Sequence, residues 1–202
     1  LTDFINTGIY NKNRDFHTTI SPSMDILISS NLERFLYDLS GNDDEMINGL
    51  MKKLAQDGKY EVSTEIKNKM ESIFSAGYAD DSDTMQAIKK CYDEFGYVID
   101  THTAVAMSVY DAYVQKTGDN TKTIIASTAS PFKFSQSVLI ALNGHGYVAG
   151  KDEFTLLSEL SQISRTDIPK SLAELKNKLK LFDTVCEKDR MTQVVNEFLQ
   201  IG

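Results

Sequence analysis

An α/β fold of parallel strands with flanking helices and a helical insertion is what this sequence predicts, from three observations. The first is the run Thr123-Ile124-Ile125-Ala126, short and apolar, with Ile124 and Ile125 in series. Such a run suits a strand buried on both faces. Ser127, Thr128 and Ser130 follow at once, and Ser130-Pro131 has the pattern of a helix N-cap with proline at the first helical position. The second is a strand-then-helix unit just upstream, where Tyr97-Val98-Ile99-Asp100 passes through Thr101-His102-Thr103 into a helical stripe of Val105, Val109, Ala112 and Tyr113. The third is a change of character over 42–96, which carries dense charge and apolar positions at spacings of three and four.

Taken in order, Leu1, Phe4 and Ile5 stand at helical spacing before Gly8, which suits the last turns of a helix. The polar stretch N-K-N-R-D-F-H-T-T reads as a loop, with His17 solvated in it. Ile20 to Gly41 predicts a long helix, capped by Ser21, with Pro22 at its first position and Met24, Leu27, Ile28, Phe35, Leu36 and Leu39 facing a core. Asp43 to Gln56, Ser63 to Ala76 and Ser82 to Phe95 predict three short amphipathic helices, with a short strand at K-Y-E-V, 59–62, between the first two. Cys91 on the third is a packing residue. The organising run leads to a helix ending at Gly144, and G-H-G-Y-V-A-G-K-D then predicts a flexible loop with His145 exposed. Asp152 to Ser164 and Ser171 to Leu179 predict helices split at Pro169, D-T-V-C-E at 183–187 a last strand, and Lys188 to Ile201 a closing helix with Met191, Val194, Val195 and Phe198 inward.

Two strand-then-helix units in series pack as neighbouring parallel strands with right-handed crossovers. Asp100 to Thr103 and Ser127 to Ser130 then emerge on one sheet edge, beyond the carboxyl ends of the strands, where α/β proteins bind small ligands. Hydroxyls there have two readings, simple helix capping and ligand contact. The same pair of readings holds for Ser23 and Asp25 near the start of the 20–41 helix, where free N–H groups can hold an anion.

Composition narrows the function. Twenty-nine acidic against 21 basic residues give a formal net charge of −8, which repels phosphate backbones and anionic membranes. No run of about 18 apolar residues and no basic-then-apolar leader is visible, so neither a membrane span nor a signal peptide is expected. Cys91 and Cys186 form no C-x-x-C pair, and reduced thiols in a cytoplasmic protein are the expectation. His17, His102 and His145 show no metal-ligand spacing, and no metal site is expected. There is no G-x-S-x-G, H-E-x-x-H or phosphate-binding glycine motif. Asp100 and His102 are an acid and base couple only if the turn between them lets them face one another.

S-T-A-S-P-F-K-F at 127–134, D-T-H-T-A-V-A at 100–106 and S-P-S-M-D-I-L-I-S-S-N-L-E-R at 21–34 together resemble the C-terminal half of threonine synthase. The resemblance implies the C-terminal part of a fold type II enzyme dependent on pyridoxal phosphate, converting O-phospho-L-homoserine and water into L-threonine and phosphate. It implies that Thr128, with Ser127 beside it, bonds the pyridine nitrogen of the cofactor through a neutral hydroxyl. Asp100 and His102, in the segment matching the family's D-P-H-T-A, fall near the pocket, with Thr101 replacing proline. Ser23 and Asp25 border the substrate cavity on the same grounds. Ser130 stands where many relatives have histidine.

The resemblance also divides the chain. Residues 1–41 and 97–202 would belong to the cofactor-binding domain, and 42–96 to a helical insertion. The Schiff-base lysine and the glycine-rich loop for the cofactor phosphate lie upstream in this family. Lys133 does not match the lysine motif. No catalytic residue is therefore assigned within this chain, whose partner is the N-terminal part of the same enzyme. Because Leu1 is not an initiator methionine, a truncated parent is expected, and the isolated chain is expected to be inactive. The alternatives are a threonine-synthase-like phospholyase acting on another substrate, and a non-catalytic α/β binding module.

Overall fold

Phe4 and Ile5 stand one helical turn ahead of Gly8, and the chain forms helix α1 (Thr2–Thr7) around them. Gly8 closes it in the left-handed conformation, φ 79°, with its N–H on the Phe4 carbonyl at 2.7 Å, a geometry glycine takes without a Cβ clash. This turn sends the chain into strand β1 (Ile9–Asn11). Helices α2 (Ser30–Leu39) and α3 (Asp44–Asp57) follow, then strand β2 (Lys59–Glu61) and helix α4 (Thr64–Glu71). The computed structural model describes residues 1–201, and among them the sheet is a two-stranded antiparallel ribbon with Tyr10 opposite Tyr60.

One face of that ribbon organises a core. Phe4, Tyr10, Leu32, Leu36, Ile47, Leu50, Tyr60 and Met70 are all buried in it. The Tyr10 and Tyr60 rings stack at 5.4 Å, and Phe4 meets both edge-on at 5.7 and 5.9 Å. Each such side chain contributes about 1.5–3 kcal/mol on burial. Burial also pushes the Tyr60 phenol up from its ordinary pKa, with Tyr10 and Glu33 adding to the shift.

Helices α5 (Asp81–Phe95), α6 (Thr101–Thr117), α7 (Ser135–Asn143), α8 (His145–Val148) and α9 (Glu153–Ser164) come next. α5 packs on α6 and α7, and α7 on α9. Ile88, Ala104, Val138, Leu139 and Leu160 are fully buried among them, while Val105, Val109 and Tyr113 of α6 are half-buried and Ala112 is exposed. Three of these starts are set by a side chain. Asp80 and Asp83 make a capping box on α5, Asp100 caps α6, and Asp152 caps α9. Ser130 accepts from the Phe132 N–H at 3.3 Å and starts a 3-10 turn (Pro131–Phe134) that runs into α7, as the Ser-Pro pattern predicts.

The chain divides into two compact units, 1–167 and 168–202. The second holds α10 (Lys170–Ala173), continued by a 3-10 turn (Glu174–Asn177), and then α11 (Met191–Leu199). Within it, Phe182 meets Phe198 edge-on at 5.7 Å.

Several elements differ from expectation. The runs at 97–100, 123–126 and 183–187 carry strand composition but form no strand, because no neighbour among the described residues offers them a ladder. Val98 and Ile99 are nevertheless buried, while Ile124 is 93% exposed. The helix expected from residue 20 starts only at Ser30. Ser21 makes no side-chain cap there, Pro22–Met24 is a lone 3-10 turn, and Met24 and Ile28 are exposed. The cause is local. Asp25 bonds back to the Thr19 N–H and hydroxyl, offering the backbone an alternative to helix. The loop after Gly144 contains helix α8. Met191, Val195 and Phe198 of α11 are exposed rather than inward.

Candidate functional site

Asp100 is fully buried and sits at the N-cap of α6. Its Oδ1 accepts from the backbone N–H of His102 at 2.8 Å and of Thr103 at 3.4 Å, and its Oδ2 accepts the Thr103 hydroxyl. A carboxylate at this end of a 17-residue helix is favoured by the helix dipole and satisfies donors that have no partner within the helix. The free N–H groups are thus already engaged by the chain's own anion.

The turn does let Asp100 and His102 face one another. His102 Nδ1 lies 3.1 Å from Asp100 Oδ1, and on the other side of the ring the Ser23 backbone N–H donates to Nε2 at 3.1 Å. A nitrogen that accepts carries no proton. The imidazole is therefore the Nδ1–H tautomer, donating to Asp100. Its side chain is 8% exposed, and the Phe134 ring covers it at 4.8 Å.

From Thr103 the network reaches the second segment. Its Oγ1 lies 3.1 Å from Ser127 Oγ. Ser127 and Thr128 are both exposed, and among the described residues the Thr128 hydroxyl has no hydrogen-bond partner. Four of the six sequence-derived candidates, Ser23, Asp100, His102 and Ser127, thus join one hydrogen-bonded chain, although Ser23 joins through its backbone only. Thr128 flanks that chain. Asp25 does not join it. Its carboxylate holds Thr19, at 2.7 Å to N and 2.8 Å to Oγ1, and it lines an open groove of about 640 Å³ with Tyr10, Arg14, Thr19, Ser21 and Leu27.

Three further residues contribute, of which Thr103 lies in the 100–103 turn that the sequence places at the site edge and the other two escape a sequence-only reading. Thr103 links Asp100 to Ser127, and the signal for its link to Asp100 is its place three residues after the capping carboxylate. Phe134 covers the imidazole from the next helix start. Asp81 accepts the Ile20 N–H at 3.1 Å across 61 residues, a separation over which periodicity carries no signal. Among the described residues no group of three or more His, Cys, Asp or Glu side chains is placed to hold a metal, and no helix is long and apolar enough to cross a membrane.

This geometry presents a rigid, internally satisfied polar cluster and, at its edge, two solvent-facing hydroxyls. The family model described as "Threonine synthase, C-terminal" matches residues 103–197. Threonine synthase of Saccharomyces cerevisiae is 33% identical over 198 residues, covering 91% of this chain and 36% of that protein. Threonine synthase-like 1 of Homo sapiens is 37% identical over 143 residues, 70% of this chain and 19% of that protein. The crystal structure of threonine synthase from Brucella melitensis with PLP bound superposes on 98% of this chain and 37% of its own, with a TM-score of 0.72 at 27% identity. The chain spans between about a fifth and two fifths of the length of these relatives. Together these matches support the C-terminal portion of a threonine synthase.

Proposed function

We propose that this chain is the C-terminal part of a pyridoxal-phosphate-dependent lyase that converts O-phospho-L-homoserine and water into L-threonine and phosphate. The observation that carries the reading is the hydrogen-bonded chain from Ser23 through His102, Asp100 and Thr103 to Ser127, which joins the three segments of family resemblance at one place. Residues 1–41 and 97–202 form its cofactor-binding side in this reading, and 42–96 the insertion.

The residues present fit one end of the cofactor. Thr128 offers an exposed neutral hydroxyl with no partner among the described residues, suited to the pyridine nitrogen, and Ser127 is held beside it by Thr103. Bound pyridoxal phosphate supplies an electron sink for chemistry at the amino-acid carbon skeleton. A hydroxyl partner, unlike a carboxylate, leaves the ring nitrogen without a fixed proton and moderates that sink. This chain orients the ring end. The lysine attachment and the phosphate cradle belong to the rest of the enzyme.

Phosphate release from O-phospho-L-homoserine by the protein expressed from its complete reading frame tests this, alongside the 202-residue chain. Turnover by the complete protein and none by the chain alone is expected; turnover by the chain alone overturns the division of labour. The presence of threonine synthase-like 1 among the relatives favours one second reading, a related phospholyase acting on another phosphorylated amino alcohol. Phosphate release from another phosphorylated amino alcohol, with little or none from O-phospho-L-homoserine, distinguishes it.

A further inference from the structure

We infer that His102 is a positioning residue that pins the wall of the 640 Å³ groove, and not an acid–base group facing substrate. Both ring nitrogens are engaged. Nδ1 is held by Asp100 and Nε2 by the Ser23 N–H, each at 3.1 Å. With Phe134 on the ring and 8% of the side chain exposed, no lone pair or N–H is presented to a bound molecule. Asp100 fixes the tautomer that makes Nε2 an acceptor.

What Nε2 holds is one point on a strap. The strap, residues 19–29, supplies Thr19, Ser21, Met24, Asp25, Leu27 and Ser29 to the groove. It has little regular structure of its own beyond the 3-10 turn at Pro22–Met24. Four side chains from elsewhere fix it, among them Arg14, whose guanidinium donates to the Ile26 carbonyl at 3.4 Å. Asp81 takes the Ile20 N–H at 3.1 Å, His102 takes the Ser23 N–H, and the Tyr10 hydroxyl donates to the Leu27 carbonyl at 3.0 Å and accepts from the Ser29 N–H at 2.8 Å. Asp25 closes the strap on itself at Thr19. His102 is the pin at the 3-10 turn, so its loss leaves the stretch between Ile20 and Ile26, with the groove residue Met24, held only by Asp25 on Thr19.

The test separates the two ring nitrogens. In H102Q the amide oxygen stands where Nε2 stood and still accepts from Ser23. In H102N the shorter amide reaches only the Nδ1 position and keeps Asp100. Hydrogen exchange of the peptide containing Ser23 is measured on the protein from its complete reading frame. Protection near the wild-type level in H102Q and about tenfold lower in H102N is the expected result. S23P deletes the donor itself, so its readout is the neighbouring amides of that peptide, which are expected to match those of H102N, and it carries the comparison with H102Q if H102N does not fold. Equal loss of protection in H102Q and H102N, or full protection in all three variants, overturns the inference.

Activity gives a second readout, which rests on the proposed function. A pin raises KM in H102N by about tenfold and leaves kcat within about twofold, with H102Q restoring KM. A fall in kcat of more than about a hundredfold in both variants at unchanged KM assigns His102 to proton transfer instead and overturns the inference. If the wild-type protein releases no phosphate, the proposed function fails, and the exchange experiment still decides the role of His102.

Discussion

Replacing Asp100 by alanine removes four hydrogen-bond acceptances at once, and the structure sets the cost. The carboxylate caps α6 through the His102 and Thr103 N–H groups, and such a cap contributes about 1 kcal/mol. It also takes the Nδ1–H of His102 and the hydroxyl of Thr103, both in buried surroundings, and an unsatisfied buried donor costs about 1–3 kcal/mol. Thr103 has an alternative partner in Ser127 at 3.1 Å, so the hydroxyl falls at the low end of that range and His102 bears most of the penalty. The sum is about 3 kcal/mol for D100A. For D100N it is about 1 kcal/mol, since the amide oxygen still caps the helix and takes the Nδ1–H, while the amide nitrogen in place of Oδ2 leaves the Thr103 hydroxyl to turn to Ser127.

Urea unfolding followed by tyrosine fluorescence reads this effect cleanly. There is no tryptophan, and all nine tyrosines lie between Tyr10 and Tyr147, inside the unit 1–167 that contains Asp100. With a slope of about 2 kcal/mol/M, D100A shifts the midpoint down by about 1.5 M and D100N by about 0.5 M. A D100A midpoint within about 0.2 M of wild type would refute the view that this carboxylate organises the cluster.

Three further outcomes are expected. T128A, at an exposed position, changes stability by less than about 0.5 kcal/mol, while in the complete enzyme it lowers turnover by about tenfold or more, measured by phosphate release. A thiol reagent modifies partly exposed Cys186 at least about tenfold faster than Cys91, which is 4% exposed and whose thiol burial pushes up in pKa; peptide mapping after brief labelling reads the order. Alkaline pH destabilises the unit 1–167. Burial raises the Cys91 thiol above 9.0 and the Tyr60 phenol above 10.0 in the folded state, so the unfolded chain releases these protons first. Stability present below about pH 9 is then lost as pH rises, and C91S and Y60F each flatten the decline in urea midpoint between pH 8.5 and 10.5.

How much of this the sequence discloses follows the range of each interaction. Asp43, Ser63 and Asp100 cap helices whose apolar spacing is plain, and α3, α4, α5 and α6 begin within two residues of where the pattern puts them. Gly58, Gly96, Gly118 and Gly144 end helices where glycine predicts an end. The stretch 20–29 is misread as helix because the contest there is between Ser-Pro propensity and the hold of Asp25 on Thr19, and local tallies do not rank those two. Nor does any pattern announce that Tyr10 and Asp81 reach that stretch from 19 and 61 residues away.

The strand runs show the same division from the other side. Val98, Ile99, Ile124 and Ile125 have the composition of buried strands, yet a ladder requires a neighbouring strand, and these residues find none among the described residues. A cap needs only the three residues that follow it. The contact between Thr103 and Ser127 forms without the ladder that would have explained it, because α6 is started by Asp100 and the next helix by Ser130, each through its own side chain. The meeting of the two hydroxyl-rich turns is thus secured by helix starts and not by strand pairing. Weakening the Asp100 cap should therefore loosen Ser127 and Thr128 more than any substitution at Ile124, whose side chain is almost wholly in solvent.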